Sequence, residues 1–200
     1  MADENTFFHI DSGGPVSILR LASPDGTNRL TRACVLALTA ALADLKDELK
    51  KQLRPLIVAG NRQFFSVGAD LNEIAALTGP EAYEFSAMGQ TLMNSIASYP
   101  APVIAAVEGH CMGGGFDLAL ACHRRIAAPH AVFGHRGAAL GLMTGWGGTQ
   151  RLPRLIGKSG ALELFIAAEK VSAARALEIG LVDAIAADPV TTALNQCQFQ

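Results

Sequence analysis

Two glycine-bearing stretches hold the residues whose types and spacing could do chemistry: Ser66-Val67-Gly68-Ala69-Asp70-Leu71 and Cys111-Met112-Gly113-Gly114-Gly115-Phe116-Asp117. Each follows a short apolar run that reads as a strand, and each leads into a helical pattern. A helix start leaves about four backbone N–H groups without intrahelical acceptors and carries a partial positive charge. Two such starts aimed at one point would hold an oxyanion, such as an enolate oxygen, with one donor from each. The same glycines also serve tight turns and close backbone packing, and spacing alone leaves both uses open. Asp117 adds a carboxylate on the first turn of the second helix, where it could transfer a proton or complement the helix dipole.

Other glycine motifs fail on inspection. Gly157-Lys158-Ser159 resembles the end of a phosphate-binding loop, but Leu152 stands where the first glycine is needed. The dinucleotide fingerprint fails because Gly113 and Gly115 are followed by Leu118, and Gly145 and Gly147 by Gln150. A serine elbow fails because Ala161 follows Gly157 and Ser159 in place of glycine.

The elements that must position these turns are legible in the hydrophobic pattern. Thr6 to Leu21 reads as a hairpin around Gly13-Gly14-Pro15, and Thr31 as the N-cap of a helix with Val35, Leu38, Leu42, Leu45 and Leu49 on one stripe. Leu56 to Ala59 and Val103 to Val107 are buried strands. Between them a helix carrying Phe85, Met88, Leu92, Ile96 and Tyr99 starts at Pro80 and stops before Pro100. After the second glycine turn come a helix to Cys122, strands at Arg125 to Ala128 and around Val132-Phe133, and helices from Thr149 and from Ser159 to Ala168. A helix capped by Ser172 and closed by Gly180 leads to a strand, Leu181 to Ile185. Apolar strands alternating with amphipathic helices predict an α/β fold with largely parallel sheet. The polar text after Asp188 is expected to be a frayed tail, which divides the chain into a domain over 1–188 and a tail over 189–200.

With 200 residues, 50% hydrophobic and 17% charged, the chain is expected to bury one sizeable core. A net charge of -2, without a basic cluster interleaved with aromatics, argues against nucleic acid. The acidic start lacks an apolar segment, so neither signal peptide nor membrane span is expected and the predicted location is cytoplasmic. Cys34, Cys111, Cys122 and Cys197 are far apart, read as small buried hydrophobes, and imply no metal.

From Leu56 to Ile185 the chain resembles the enoyl-CoA hydratase/isomerase (crotonase) family, most closely in Phe65 to Leu71, in Pro102 to Leu118 and in Gly147-Gly148-Thr149-Gln150-Arg151-Leu152. The resemblance implies a crotonase-like spiral of ββα units and an acyl-CoA thioester as substrate. It implies no cofactor beyond the CoA of the substrate, and assembly as a homotrimer or hexamer. By the family pattern the oxyanion donors are the N–H groups of Ala69 and Gly114, and Asp117 takes the place of the first of two catalytic glutamates. The second glutamate's position falls on Gly137, with His135 the nearest ionisable residue. Gly68, Asp70, Met112, Gly113, Phe116, Leu140, Met143 and Trp146 complete the expected substrate-binding set.

Three departures stand out. Asn72 replaces a lysine that many relatives carry, Gly137 replaces a proton-transfer group, and the C-terminal helical region is shortened, which is expected to leave apolar surface for self-association. Hydration needs proton transfer on two sides, so the expected function is an acyl-CoA-processing enzyme with weak hydratase activity. One-carboxylate isomerase or decarboxylase chemistry is the rival, and a catalytically degraded acyl-CoA-binding or assembly protein a further one.

Overall fold

The computed structural model describes residues 7–48 and 54–198. In chain order its elements begin with β1 (Phe8–Asp11), β2 (Ser17–Leu21), β3 (Arg29–Leu30), α1 (Arg32–Glu48), β4 (Leu56–Ala59), β5 (Phe64–Ser66), β6 (Gly68–Ala69), α2 (Leu71–Ala75) and α3 (Gly79–Ala97). They continue with β7 (Val103–Val107), β8 (His110–Met112), α4 (Gly114–Ala121), β9 (Arg124–Ala127), β10 (Val132–Gly134), a 3-10 turn (Gly137–Leu140) and α5 (Gly148–Ala167). The last are β11 (Val171–Ser172), α6 (Ala173–Glu178), β12 (Ala184–Ile185) and α7 (Pro189–Gln198). The expected assignments at Thr6 and Leu49, and the end of the expected tail at 199–200, lie outside the described residues.

Local chemistry starts the helices. Thr31 Oγ1 accepts from Cys34 N at 3.2 Å ahead of α1. Thr78 and Glu81 form a reciprocal capping box ahead of α3. Gly157, at φ 80° and ψ 159°, breaks α5 into the two helical pieces that the sequence predicts.

One sheet runs β1-β2-β4-β7-β9-β12, antiparallel only between β1 and β2. A second runs β11-β10-β8-β5, parallel among β5, β8 and β10. Successive segments therefore contribute one strand to each sheet and then a helix: β7 and β8 then α4, β9 and β10 then α5. Between β5 and α2 lies β6, paired with β3 so that Leu30 stands opposite Ala69.

β4 and β7 are buried at every position, which is why they read as unbroken apolar runs. Their side chains alternate between two faces. Leu56, Val58, Val103 and Ala105 join α1 and α3 in the main core, including Val35, Leu38, Leu42, Leu92 and Ile96. Ile57, Ala59, Ile104 and Ala106 form a second cluster on the opposite face.

That second cluster overturns the frayed-tail expectation. Residues 189–198 form α7, whose Val190, Ala193, Leu194 and Cys197 pack on Ile57, Ile104 and Ile126, with Ala193 fully buried. Asp188 starts the helix: its Oδ1 accepts from Thr191 N at 2.9 Å and its Oδ2 from Thr191 Oγ1 at 2.6 Å. The i, i+3, i+4, i+7 spacing was present in the sequence, hidden among threonines, asparagine and glutamines. The expected strand over 181–185 shrinks to Ala184–Ile185, because the N–H groups of Leu181 and Val182 donate to Ala176 O and close α6 instead.

Candidate active site

The first glycine turn is held from below by a buried asparagine. Asn28 sits in the left-handed region at φ 54° with 2% of its surface exposed. Its Nδ2 donates to Phe64 O at 2.8 Å, and its carbonyl accepts from Ser66 Oγ at 2.7 Å. Ser66 Oγ in turn accepts from Gly68 N at 3.1 Å. Asp70 ends the turn as the N-cap of α2, accepting from Asn72 N at 2.7 Å and pairing with Arg29 at 3.1 Å. Asp70 thus has a full structural role. Burial pushes its carboxyl up, but Arg29 and the N–H groups of Asn72 and Glu73 outweigh this and hold it below its ordinary value.

The second turn leaves β8 at Met112. Gly113, at φ 52° and ψ −123°, donates its N–H to Gly134 O at 2.9 Å and precedes α4, which starts at Gly114. The two turns approach closely, backbone against backbone at Gly68 and Gly114. A Cβ on Gly68 would lie 2.8 Å from Gly114 N and 2.7 Å from Met112 O, and a Cβ on Gly114 would lie 3.3 Å from Ala69 N. Glycine is required at both positions for this approach. Gly68, Ala69, Met112, Gly113 and Gly114 are therefore brought together.

Trp146 joins them. It is buried, its Nε1 donates to Phe85 O at 3.3 Å, and a Cβ on Gly114 would come 2.7 Å from its Cε3. Arg151 fixes the loop by donating from NH1 to Trp146 O at 3.2 Å and from NH2 to Asn94 Oδ1 at 2.8 Å.

Behind the second turn lies a buried polar cluster. Asp117 is 2% exposed and His135 6%. His135 Nε2 lies 3.1 Å from Asp117 Oδ1, and toward an ionised carboxylate, which only accepts, the ring nitrogen is the donor; Thr144 Oγ1 donates to Asp117 Oδ2. The imidazole packs against the rings of Phe116 and Phe165, at 5.2 and 5.5 Å between centroids. Asp117 therefore does not cap α4, which has no side-chain cap. Burying an ionised carboxylate costs several kcal/mol, and two hydrogen bonds to a charge, at about 1.5–3 kcal/mol each, are of the size to offset it. Gly148 makes the space: a Cβ there would run into Asp117 Oδ1 and stand 2.9 Å from His135 Nε2. Two neighbours sense the Asp117 charge. Burial holds the Arg151 guanidinium below its ordinary value while Asp117 opposes that shift, and burial pushes the Cys111 thiol well up, with Cys122 and Asp117 adding to it.

The remaining expected residues lie on the segment between β10 and α5. Leu140 and Met143 are each 60% exposed on the loop between β10 and α5. Gly137 opens the 3-10 turn of that loop, and a Cβ on it would lie 2.7 Å from Leu142 O. Its φ is not positive, so the obstacle to a side chain there is the Leu142 carbonyl and not backbone handedness. A cavity of about 390 Å³ lies elsewhere, beside Tyr99, Pro102, His123 and Arg124. Sequence reasoning missed Asn28 as a brace, Thr144 and Gly148. Gly148 lies inside the Gly147 to Leu152 segment that carries the family resemblance, whereas Asn28 and Thr144 carry no local signal.

Comparison with known proteins agrees with this architecture. The family model described as enoyl-CoA hydratase/isomerase matches residues 12–197. A Bacillus subtilis (strain 168) protein named "Probable enoyl-CoA hydratase" is 41% identical over 174 residues, covering 86% of this chain and 66% of its own length. A crotonyl-CoA hydratase of Syntrophomonas wolfei subsp. wolfei is 37% identical over 185 residues, covering 92% of this chain and 70% of its own. The chain thus spans about two thirds of the length of these relatives. The crystal structure of an enoyl-CoA hydratase from Bacillus anthracis superposes with a TM-score of 0.90 at 33% identity, over 97% of this chain and 76% of that one. With the fold, the paired glycine turns and a match over nearly its whole length, the chain belongs to the enoyl-CoA hydratase/isomerase family.

Proposed function

We propose that the chain is an acyl-CoA-processing enzyme that stabilises a thioester enolate with the N–H groups of Ala69 and Gly114 and transfers a proton with Asp117, which His135 holds. The observation that carries this reading is the contact of the two turns, with the space of a Gly68 Cβ only 2.8 Å from Gly114 N. Gly114 is the first residue of α4, so its N–H has no acceptor within the helix. Donors fixed in advance at a developing negative charge are worth about 10²–10³ in rate each. CoA enters as part of the substrate, and no other cofactor takes part.

One-carboxylate chemistry is favoured over hydration. Gly137 offers no second proton-transfer group, which leaves Asp117 as the carboxylate of the proposed site. A double-bond isomerase needs an enolate and one carboxylate that removes and returns a proton. The protein is proposed to work in the cytoplasm as a homotrimer or hexamer, with exposed Leu155, Leu162 and Ile166 on α5 available to an interface. Among the described residues no helix is long and apolar enough to cross a membrane. The deciding experiment offers crotonyl-CoA, a 3-enoyl-CoA and a malonyl-type CoA and identifies products by mass. Turnover of none of the three, despite acyl-CoA binding, would replace this reading with that of a binding protein.

A further inference from the structure

Both oxygens of Asp117 accept hydrogen bonds, Oδ1 from His135 and Oδ2 from Thr144. An ionised carboxylate only accepts, whereas its protonated form must also donate. The two partners answer that change differently. Facing a carboxylate, His135 presents Nε2–H, a donor that cannot reverse without moving its proton to the other ring nitrogen, and its ring packs against Phe116 and Phe165. The Thr144 hydroxyl is both donor and acceptor and exchanges these roles by rotating about its C–O bond. A proton arriving on Asp117 is accommodated at Oδ2 while the bond at Oδ1 survives.

We infer that Asp117, His135 and Thr144 form one proton-carrying unit, in which Thr144 is a positioning residue whose hydroxyl reverses direction as Asp117 takes up and returns a proton. This rests on the proposed role of Asp117 and extends it to a residue on the loop before α5. The balance is closed. The C–H bond α to the thioester carbonyl breaks, its electron pair passes into a dienolate, and its proton goes to Asp117 Oδ2 as Thr144 turns from donor to acceptor. The enolate pair then forms a C–H bond at another carbon of the same system with that proton, and Thr144 turns back. No oxidant and no second proton donor is consumed, which suits an isomerase better than a hydratase. Arg151 on α5 and Cys111 on β8 also sense the Asp117 charge, but neither is hydrogen-bonded to it among the described contacts.

The test joins a spectrum to kinetics on the full chain. In the free protein, the low-field proton resonance of His135 Nε2–H is expected to move in Thr144→Val, because the carboxylate it faces loses its other donor. With the 3-enoyl-CoA, Thr144→Val is expected to lower kcat about 10- to 100-fold with KM unchanged within about twofold, the scale of one hydrogen bond to a charge. Thr144→Ser, which keeps the hydroxyl, should restore most of the rate, and Thr144→Ala carries the same test if the valine variant does not fold. A parent that turns over the substrate, matched by Thr144→Val in rate and spectrum, overturns the unit and leaves the role of Asp117 standing. A parent without turnover or deuterium exchange on any acyl-CoA of the panel overturns both.

Discussion

Asp117 Oδ1 and His135 Nε2 meet at 3.1 Å although 18 positions separate them in the chain. The register of the second sheet brings this about: β8 and β10 are parallel neighbours with Met112 opposite Gly134, so the residues that follow each strand emerge side by side. Asp117→Asn keeps the shape and removes the charge. Turnover with whichever acyl-CoA the parent accepts is expected to fall by about 10²–10⁴, with circular dichroism unchanged. Parental turnover by this variant would show that Asp117 does not move the proton.

Replacing His135 by alanine leaves the buried Asp117 carboxylate with one donor. The expected loss is about 1–3 kcal/mol of stability, read as a lower urea midpoint with the slope unchanged. An unaltered midpoint would mean that the carboxylate finds water or another donor there.

Ala69 lies in β6, between the Ser66 brace and the Asp70 cap. Ala69→Pro removes its N–H and is expected to cost about two to three orders of magnitude in kcat. A Gly68→Ala control, which crowds Gly114 N without removing the Ala69 donor, is expected to lower stability more than the proline does. Unchanged turnover in Ala69→Pro would remove Ala69 from the proposed oxyanion site.

Hydration of crotonyl-CoA by the parent is expected to be at least about 100-fold slower than proton transfer on a 3-enoyl-CoA, since the proposed site has one acid–base carboxylate and Gly137 in place of a second. Gly137→Glu does not simply restore it. Its Cβ would stand 2.7 Å from Leu142 O, so the loop must shift, at an expected cost of about 1–3 kcal/mol in thermal unfolding. Rapid hydration by the parent would show that another group supplies the second proton.

Helix α7 can be tested through pH. The Thr191 hydroxyl, and then its N–H, hold the Asp188 carboxyl below its ordinary value. A depressed carboxyl contributes stability that is present above its unfolded value, about 3.9, and is lost as pH falls through the folded value. Asp188→Ala is expected to cost about 1 kcal/mol near neutrality, the worth of an N-cap, and the gap to the parent should narrow below about pH 4. A gap that stays constant through acid would assign the loss to packing.

The order of strands and helices was legible because each follows a short-range rule. Unbroken apolar runs at Leu56 and Val103 announced strands covered on both faces, and Thr31 and Ser172 announced helix starts that the structure keeps. The glycine turns were legible as turns, and their likeness to a known family named Ala69, Gly114 and Asp117. Residues 189–198 were misread because polar spacers masked a real helical stripe, and polarity was weighed above period.

What the chain's local text determined is which segments form strands, helices and glycine turns, since φ and ψ preferences, capping and hydrophobic period act over a few residues. What only the tertiary structure decided is who meets whom. That Gly68 abuts Gly114 N, that Thr144 and His135 hold Asp117, and that a bare Gly148 makes room for them all depend on sheet register and on contacts between different elements of the chain. Such contacts leave no local pattern: Thr144 has the same spelling on a surface loop as against a buried carboxylate, and burial and hydrogen bonding alone separate the two.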